Sequence, residues 1–442
     1  MRFLVQFLMV WGVWVIVPVF IDGFTTLVNL VGVLVIQIQR FFQKSKNLEF
    51  FPFITIIVPV YNSASTIEAC IDSLLKQEYP ANRVEILLID NGSTDNSYDI
   101  FSRIQYEKNA NLRWHAIINQ GKSWALNAGI HMAQGEYILN VDSDVVLRPD
   151  AVRQIIAAME AHPEFGAVTG AIEVLPPDED APALIRVIAE CEFFEYLTAF
   201  NVGRAQQTLL QNLYTLSGAF TAFRREVLLS TYLYNQDTIT EDTDLTFEIY
   251  ERIRERQIGC VTAAVAYVHP IESLSALYAQ RVRWQRGQLE VSARHEQLLR
   301  KPIWKFLGFS PKRVLVVDHT LSFPRLVWTF FLPALTLYGY SLSMIFAGWI
   351  ILYGFYLLID LVWILVAMLG TGDSERFRLR KTFYLLPILP LYRMMIFWFR
   401  FSGFLLAIAE PGKWRVADPI SQIRRAVDDL RLKSLVILKR HA

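Results

Sequence analysis

The chain has 442 residues, enough for two or three domains of ordinary size. It is 53% apolar and 19% charged, against about 45–50% and roughly 25% in soluble proteins, which excludes a disordered chain and argues against one that is soluble throughout. Lys+Arg 43 against Asp+Glu 42 leaves a net charge of +1, so no basic excess marks a nucleic-acid partner, and the widely spaced Cys70, Cys191 and Cys260 suit neither a disulfide framework nor a zinc site.

The first apolar run, Phe3 to Ile21, carries no charge, and a second runs from Gly23 to Gln39. A helix needs about 20 apolar residues to cross a bilayer core. This predicts either two short spans turning at Asp22-Gly23, or one span plus a helix lying at the interface. The first run is longer than the roughly 7–15 residues of a signal-peptide core, and no alanine precedes Ala64, so a membrane segment is expected rather than a cleaved leader. Arg40, Lys44 and Lys46 follow it and place the next section on the cytoplasmic side.

The middle of the chain alternates strand and helix signals. Ile54 to Val60 is a β-rich run closed by Tyr61 and Asn62. Ser65 is expected to cap a helix reaching Gln77. Val84 to Ile89 predicts a second strand, stopped at Asp90, and His115 to Asn119 a third. Lys122 to Ala133 reads as a helix and Glu136 to Val141 as a fourth strand. This is the rhythm of parallel βαβ units, in which ligands bind beyond the carboxyl ends of the strands. Polar residues at those ends are therefore the first candidates for chemistry.

Asn119 to Lys122 opens a helix, where backbone N–H groups and a Lys suit a phosphate as well as a plain cap. Asp142-Ser143-Asp144 follows the fourth strand directly. Taken alone it reads as a surface turn, but two carboxylates at a strand end also suit a hard cation shared with substrate phosphates. Further on, Thr240-Glu241-Asp242-Thr243-Asp244 precedes a helical run, Leu245 to Ile253. Acids at a helix start complement its dipole, yet three in four residues exceed what a cap needs, and one is a candidate general base. Gln280 to Gly287 is basic and aromatic, suited to an amphipathic helix at the inner leaflet and to gripping a diphosphate through Arg. His115, His131, His162 and His295 have no metal-ligand spacing.

The second apolar block, Leu326 to Leu369, is long enough for two spans, and Arg376, Arg378, Arg380 and Lys381 after it are again cytoplasmic in character. Phe383 to Ala409 is apolar but holds Arg393, Arg400, Pro387 and Pro390, which leaves a crossing and a re-entrant segment both open.

Taken in order, Val58 to Asn62, Asp90 to Ser93, Asn119 to Lys122, Asp142 to Asp144, Thr240 to Asp242 and Gln280 to Trp284 resemble the motifs of processive family-2 glycosyltransferases, the membrane-embedded synthases of cellulose, chitin, hyaluronan and poly-N-acetylglucosamine. Val168 to Gly170, Ser217-Gly218 and Ala222 to Arg225 are similar to the bacterial poly-N-acetylglucosamine synthases in particular. The resemblance implies an α/β GT-A-type nucleotide-sugar domain with a mixed sheet, flanked by transmembrane α-helices at both ends. The regions expected are a membrane segment at 1–45, a cytoplasmic catalytic domain at 46–300 ending in interface helices, transmembrane or interfacial helices at 301–412, and a basic tail at 413–442.

By the same resemblance, Asp242 would be the catalytic base beside Glu241. Val58, Tyr61, Asn62, Asp90, Lys122, Asp142 and Arg283 would bind the nucleotide sugar. Asp144 would hold a divalent metal, Mg²⁺ or Mn²⁺. Ser217, Gly218, Gln280 and Trp284 would form the acceptor path and gate. The implied reaction is inverting transfer from a UDP-sugar to a growing polysaccharide, coupled to export. The alternative is transfer of a single sugar to a lipid carrier. Implied partners are the UDP-sugar donor, a polysaccharide or glycolipid acceptor, membrane lipid and an accessory export or regulatory subunit, with no nucleic acid. The expected location is the cell membrane, multi-pass, with the catalytic domain in the cytoplasm. No appended cyclic-dinucleotide sensor is expected in the short stretch after 409.

Overall fold

The computed structural model describes residues 51–108, 111–118, 121–300, 308–311 and 333–409, together with scattered positions before 51. The first half is a succession of β1 (Ile54–Val60), α1 (Ile67–Leu75), β2 (Val84–Asp90), α2 (Ser97–Lys108), β3 (Leu112–Ala116), α3 (Lys122–Met132) and β4 (Tyr137–Val141). It continues through β5 (Val146–Leu147), α4 (Ala151–Ala161), β6 (Phe165–Val174) and α5 (Ala183–Thr198), which runs on as a π-turn over Ala199–Arg204. Then come β7 (Phe220–Arg224), α6 (Glu241–Arg252), β8 (Gln257–Val268) and α7 (Leu274–Arg294).

The strands form one sheet in the order β3-β2-β1-β4-β7-β6-β8-β5. β1 to β4 are mutually parallel where they pair, and β7 runs against both β4 and β6. The parallel half explains the apolar runs: every residue of β1 and of β4 is buried, because helices cover both faces. β1 pairs β2 on one side and β4 on the other, so the chain order reverses between β1 and β4. Val60 lies opposite Asp90 and Asp90 opposite Ala116, which brings the carboxyl ends of the strands to one edge. The crevice at such a reversal is where open α/β sheets bind ligands.

Three local expectations change. β3 covers Leu112–Ala116, not His115 to Asn119, because it pairs β2 in register from Ile86 opposite Leu112 to Asp90 opposite Ala116. The helix after β1 starts at Ile67 with Thr66 at its N-cap, not Ser65, and no side chain caps it; the backbone carbonyl of Ser63 accepts from the N–H groups of Thr66 and Ile67 instead. Asp22 and Gly23 lie in helical backbone rather than a turn, and the Asp22 carboxylate accepts a hydrogen bond from the Tyr356 hydroxyl at 2.8 Å. The carboxylate is thus partnered by another helix. Most of the expected N-terminal spans lies outside the described residues, as does the basic tail.

Toward the C-terminus are α8 (Leu342–Gly370), α9 (Asp373–Thr382) and α10 (Leu389–Ala409). α8 passes Asp360 without a break; ahead of it in the 326–369 block lie a 3₁₀ turn over Leu335–Tyr338 and a left-handed Gly339, and residues 326–332 are outside the described set. Leu342–Met368 and Asp373–Ile408 are long and apolar enough to cross a membrane by length and composition, with mean hydropathy 2.4 and 1.4. An apolar cluster built from Phe193 and Leu197 of α5, Leu277 of α7, Ile364 of α8 and Leu389 and Ile396 of α10 docks these helices on the sheet domain. Cys70, Cys191 and Cys260 are buried free thiols.

Candidate active site

Four elements meet at the edge defined by the strand ends. β4 delivers Asp142, whose backbone N–H donates to the Ala219 carbonyl at 3.2 Å. α3 begins with Lys122, and α6 begins with Glu241 and Asp242. The turn before β7 contributes Ser217 and Gly218. Lys122 is the hub: its Nζ lies 2.5 Å from Asp142 Oδ1 and 3.7 Å from Glu241 Oε1. Asp242 is held by two backbone donors, Thr243 N–H on Oδ1 at 2.7 Å and Gly218 N–H on Oδ2 at 3.1 Å. Gly218 lies close against both groups: a Cβ there would stand 3.2 Å from Lys122 Nζ and 3.4 Å from Asp242 Oδ2, so the lysine end would have to give by a few tenths of an ångström.

The electrostatics follow from burial. Burial pushes Asp142 up to about 6, against the pull of Lys122 and with the charge of Asp144 adding to the rise. Asp242 is raised above the ordinary carboxylate range by burial and by neighbouring Glu241, while Lys122 and its two backbone donors oppose the shift. Burial works against a charge on Lys122, but Asp142 and Glu241 outweigh it and hold the ammonium protonated. A protonated cation thus sits between Asp142 of the β4 end and the acids that open α6.

The three acids of α6 do not act together. Glu241 and Asp242 face Lys122. Asp244 is buried on the other side of the helix, paired with Asn235 Nδ2 at 3.1 Å, His295 Nε2 at 3.2 Å and Arg294 at 3.7 Å. These groups line a polar cleft of about 370 Å³ between Tyr232–Asp237 and the end of α7. Its polar groups satisfy one another: His295 Nδ1 also pairs with Glu251 at 2.8 Å, and Asn127 exchanges hydrogen bonds with the Tyr234 backbone. The cleft therefore reads as a packed junction, separate from the Lys122 cluster.

The other predicted residues occupy neighbouring strand ends. Asn62 takes a positive φ of 49° and its Oδ1 accepts from Thr94 N–H at 2.8 Å. Asp90 Oδ1 accepts from Ser93 N–H at 2.9 Å. Tyr61 is exposed, whereas Val58 is fully buried in the core of β1. Asn119 falls outside the described residues; Gly121 N–H donates to Asn91 Oδ1 at 2.6 Å and so ties the start of α3 to the end of β2. Asp144 is exposed beside Asp142. Among the described residues no three His, Cys, Asp or Glu side chains gather as a ready-made metal cage.

Gln280, Arg283 and Trp284 lie on α7, half-buried. This helix reaches the site through Gly287, where a Cβ would overlap the Thr240 side chain at the start of α6. Gly287→Ala is expected to cost about 1–3 kcal/mol by overpacking, read as a lower melting temperature; an unchanged melt would show that the two helices can separate there freely. Sequence reasoning passed over two buried polar residues. Arg281, between the predicted Gln280 and Arg283, pairs with Glu195 at 2.9 Å and Glu192 at 3.5 Å and lies 4.6 Å from the Trp284 ring centroid. Asn140 interrupts the apolar run of β4 with an amide that is 2% exposed; a polar side chain inside a buried strand was the signal that marked it.

Residues 55–230 match the glycosyl transferase family 2 profile. The chain is 29% identical over 242 residues to a poly-beta-1,6-N-acetyl-D-glucosamine synthase of Staphylococcus epidermidis, covering 54% of this chain and 56% of the relative. It is 30% identical over 241 residues to the synthase of the same description from Staphylococcus aureus (strain COL), again 54% and 56%. The chain thus spans a little over half the length of these curated relatives. A solved mannosyltransferase from Pyrobaculum calidifontis, in complex with GDP-Man and Mn²⁺, shares the fold with a TM-score of 0.53 at 18% identity, covering 88% of this chain and 98% of that one.

Proposed function

Since residues 55–230 are a family-2 glycosyl transferase domain, we propose that the chain moves a sugar from a UDP-sugar onto a growing polysaccharide at the inner face of a membrane, with inversion at the anomeric carbon. The observation that carries this reading is the Lys122 cluster, where the ammonium joins Asp142 to Glu241 beside the doubly held Asp242. It unites in one place the motifs assigned to donor and to base.

Asp242 takes the proton from the attacking acceptor hydroxyl, a role suited to a carboxylate whose pKa is raised toward neutrality. Lys122 stays cationic through the reaction and faces the diphosphate, where negative charge grows as UDP leaves. Asn62 and Asp90 frame the nucleoside, and Gln280, Arg283 and Trp284 close over acceptor and diphosphate. The donor set suits a hard cation: Asp144 is exposed beside Asp142, which Lys122 already engages, so substrate phosphate and water would complete the coordination of Mg²⁺ or Mn²⁺. Such an ion would supply charge neutralisation at the leaving diphosphate. α8 and α10 are read as membrane helices, whose docking on α5 and α7 holds the catalytic edge near the bilayer. N-acetylglucosamine is the sugar favoured by the relatives' descriptions.

The test is UDP release by purified protein across a panel of UDP-sugars with Mg²⁺ or Mn²⁺, followed by sizing of the product. Release without any polymer, and a lipid bearing one sugar, would replace the polysaccharide reading by single transfer. The pH profile is a second check. The base acts only when ionised, so the acid limb of kcat/KM is expected above the usual carboxylate value of about 4. Glu241→Gln removes the negative neighbour, makes Asp242 easier to ionise, and should move that limb to lower pH; an upward move would contradict the assignment.

A further inference from the structure

We propose that Asn140 is a positioning residue for the proton transfer, acting through Gly218 on Asp242. This deepens the transferase reading above and rests on it. Asn140 lies on β4, opposite Ile57 of β1 and Thr221 of β7, two residues before Asp142. A buried amide costs free energy for each group left without a hydrogen bond, and here Nδ2 is the group that is bonded while Oδ1 is not. Its Nδ2 donates to the Gly218 carbonyl at 2.8 Å, and the Gly218 N–H in turn donates to Asp242 Oδ2 at 3.1 Å.

Position 218 is a glycine, with Lys122 Nζ 3.2 Å and Asp242 Oδ2 3.4 Å from the place a Cβ would take. A glycine leaves the backbone there with the widest conformational freedom of any residue. The restraint has to come from outside. On one side, Ser217 is fixed by Thr169 Oγ1 on its N–H at 3.2 Å and by the Thr221 hydroxyl on its carbonyl at 2.6 Å. On the other, the Ala219 carbonyl accepts from Asp142 N–H at 3.2 Å. Asn140 supplies the remaining hold, on the Gly218 carbonyl itself, and so fixes the direction of the N–H that meets the base. The strand that carries the donor-side carboxylate thereby also sets the geometry of the base. Asp242 is faced further by Glu241 and Lys122, and Arg204 and Tyr234 lie within its electrostatic reach.

The experiment compares the full-length wild type, Asn140→Leu and Asn140→Asp by UDP release at saturating acceptor, with donor binding measured by calorimetry. Asn140→Leu keeps the size and removes the donor. Its kcat is expected to fall by roughly 10- to 100-fold, the scale of a small misplacement at a reacting centre, with the donor KM within about twofold. Its acid limb should move to higher pH, because the Gly218 hydrogen bond that lowers the Asp242 pKa is weakened. Asn140→Asp can donate only when protonated, so its activity relative to wild type should climb as the pH falls. That variant decides the matter if the leucine variant does not bind donor. Variants with unchanged kcat, a loss confined to KM, or an unmoved limb overturn the role of Asn140 while the transferase reading stands. A wild type that turns over no UDP-sugar removes the reading and the proposal together.

Discussion

Asp242→Asn is expected to lower UDP release by about 10²–10⁴-fold, the usual contribution of a positioned general base, while UDP-sugar binding stays close to that of wild type. Both Asp242 oxygens are engaged, by Thr243 N–H and by Gly218 N–H. An asparagine offers only one acceptor oxygen, so its amide must turn toward one of the two donors. The shorter bond, to Thr243, is the one expected to survive. The Gly218 turn then loses its partner, and a small drop in melting temperature should accompany the loss of activity. Donor binding is insulated from this because Lys122 keeps its 2.5 Å contact with Asp142 on the other side of the site. Steady-state UDP release and calorimetric titration with UDP-sugar separate the two effects. Turnover at the wild-type level would remove Asp242 from the chemistry, and a loss of donor binding equal to the loss of rate would make its role one of binding.

Arg281→Met is expected to destabilise the protein by about 3–5 kcal/mol, the typical effect of removing one partner of a buried ion pair. Arg281 and Glu192 are 4% and 3% exposed, so water does not replace the lost partner. The arginine holds α7, the proposed gate helix, against Glu192 and Glu195 of α5, and the Tyr392 hydroxyl of α10 donates to Glu195 at 2.7 Å. The penalty should depend on pH. Burial raises Glu192 to about 7 from its ordinary 4.5, although Arg281 pulls it down. A carboxyl raised in the folded state binds its proton first there, so stability declines as pH rises from about 4.5 to 7. Without Arg281 the folded value climbs further and the decline extends to higher pH. Melting curves in detergent should therefore show a larger loss at pH 8 than at pH 5. Equal losses at both would mean that Arg281 contributes packing alone, and no loss at pH 8 would dismiss the buried pair as a stabilising contact.

The parallel half of the sheet was readable from sequence because strands covered on both faces become uninterrupted apolar runs; Ile54 to Val60 is found with the bounds expected. The antiparallel half was not. β7 contains Thr221 and Arg224 among Phe220, Ala222 and Phe223, and its place between β4 and β6 depends on partners distant in the chain. Motif order likewise pointed to Lys122, Asp142, Glu241 and Asp242 without showing that they meet. Asp242 and Asp244 looked equivalent on paper, yet residues two apart on an α-helix point to nearly opposite sides. One faces Lys122, and the other is locked to His295 and Arg294.

What the residues dictated on their own was the type of each element and the chemical repertoire: alternating apolar strands and helices, acids at their ends, and apolar blocks toward both ends of the sequence. These follow from local periodicity and from side-chain chemistry, which need no partner to be read. Packing alone decided which carboxylates share a single ammonium, that Arg281 of α7 is buried, and that an asparagine inside β4 holds the glycine that holds Asp242. Such choices turn on separations of about 4–6 Å between groups remote in sequence, and only the folded chain sets those distances.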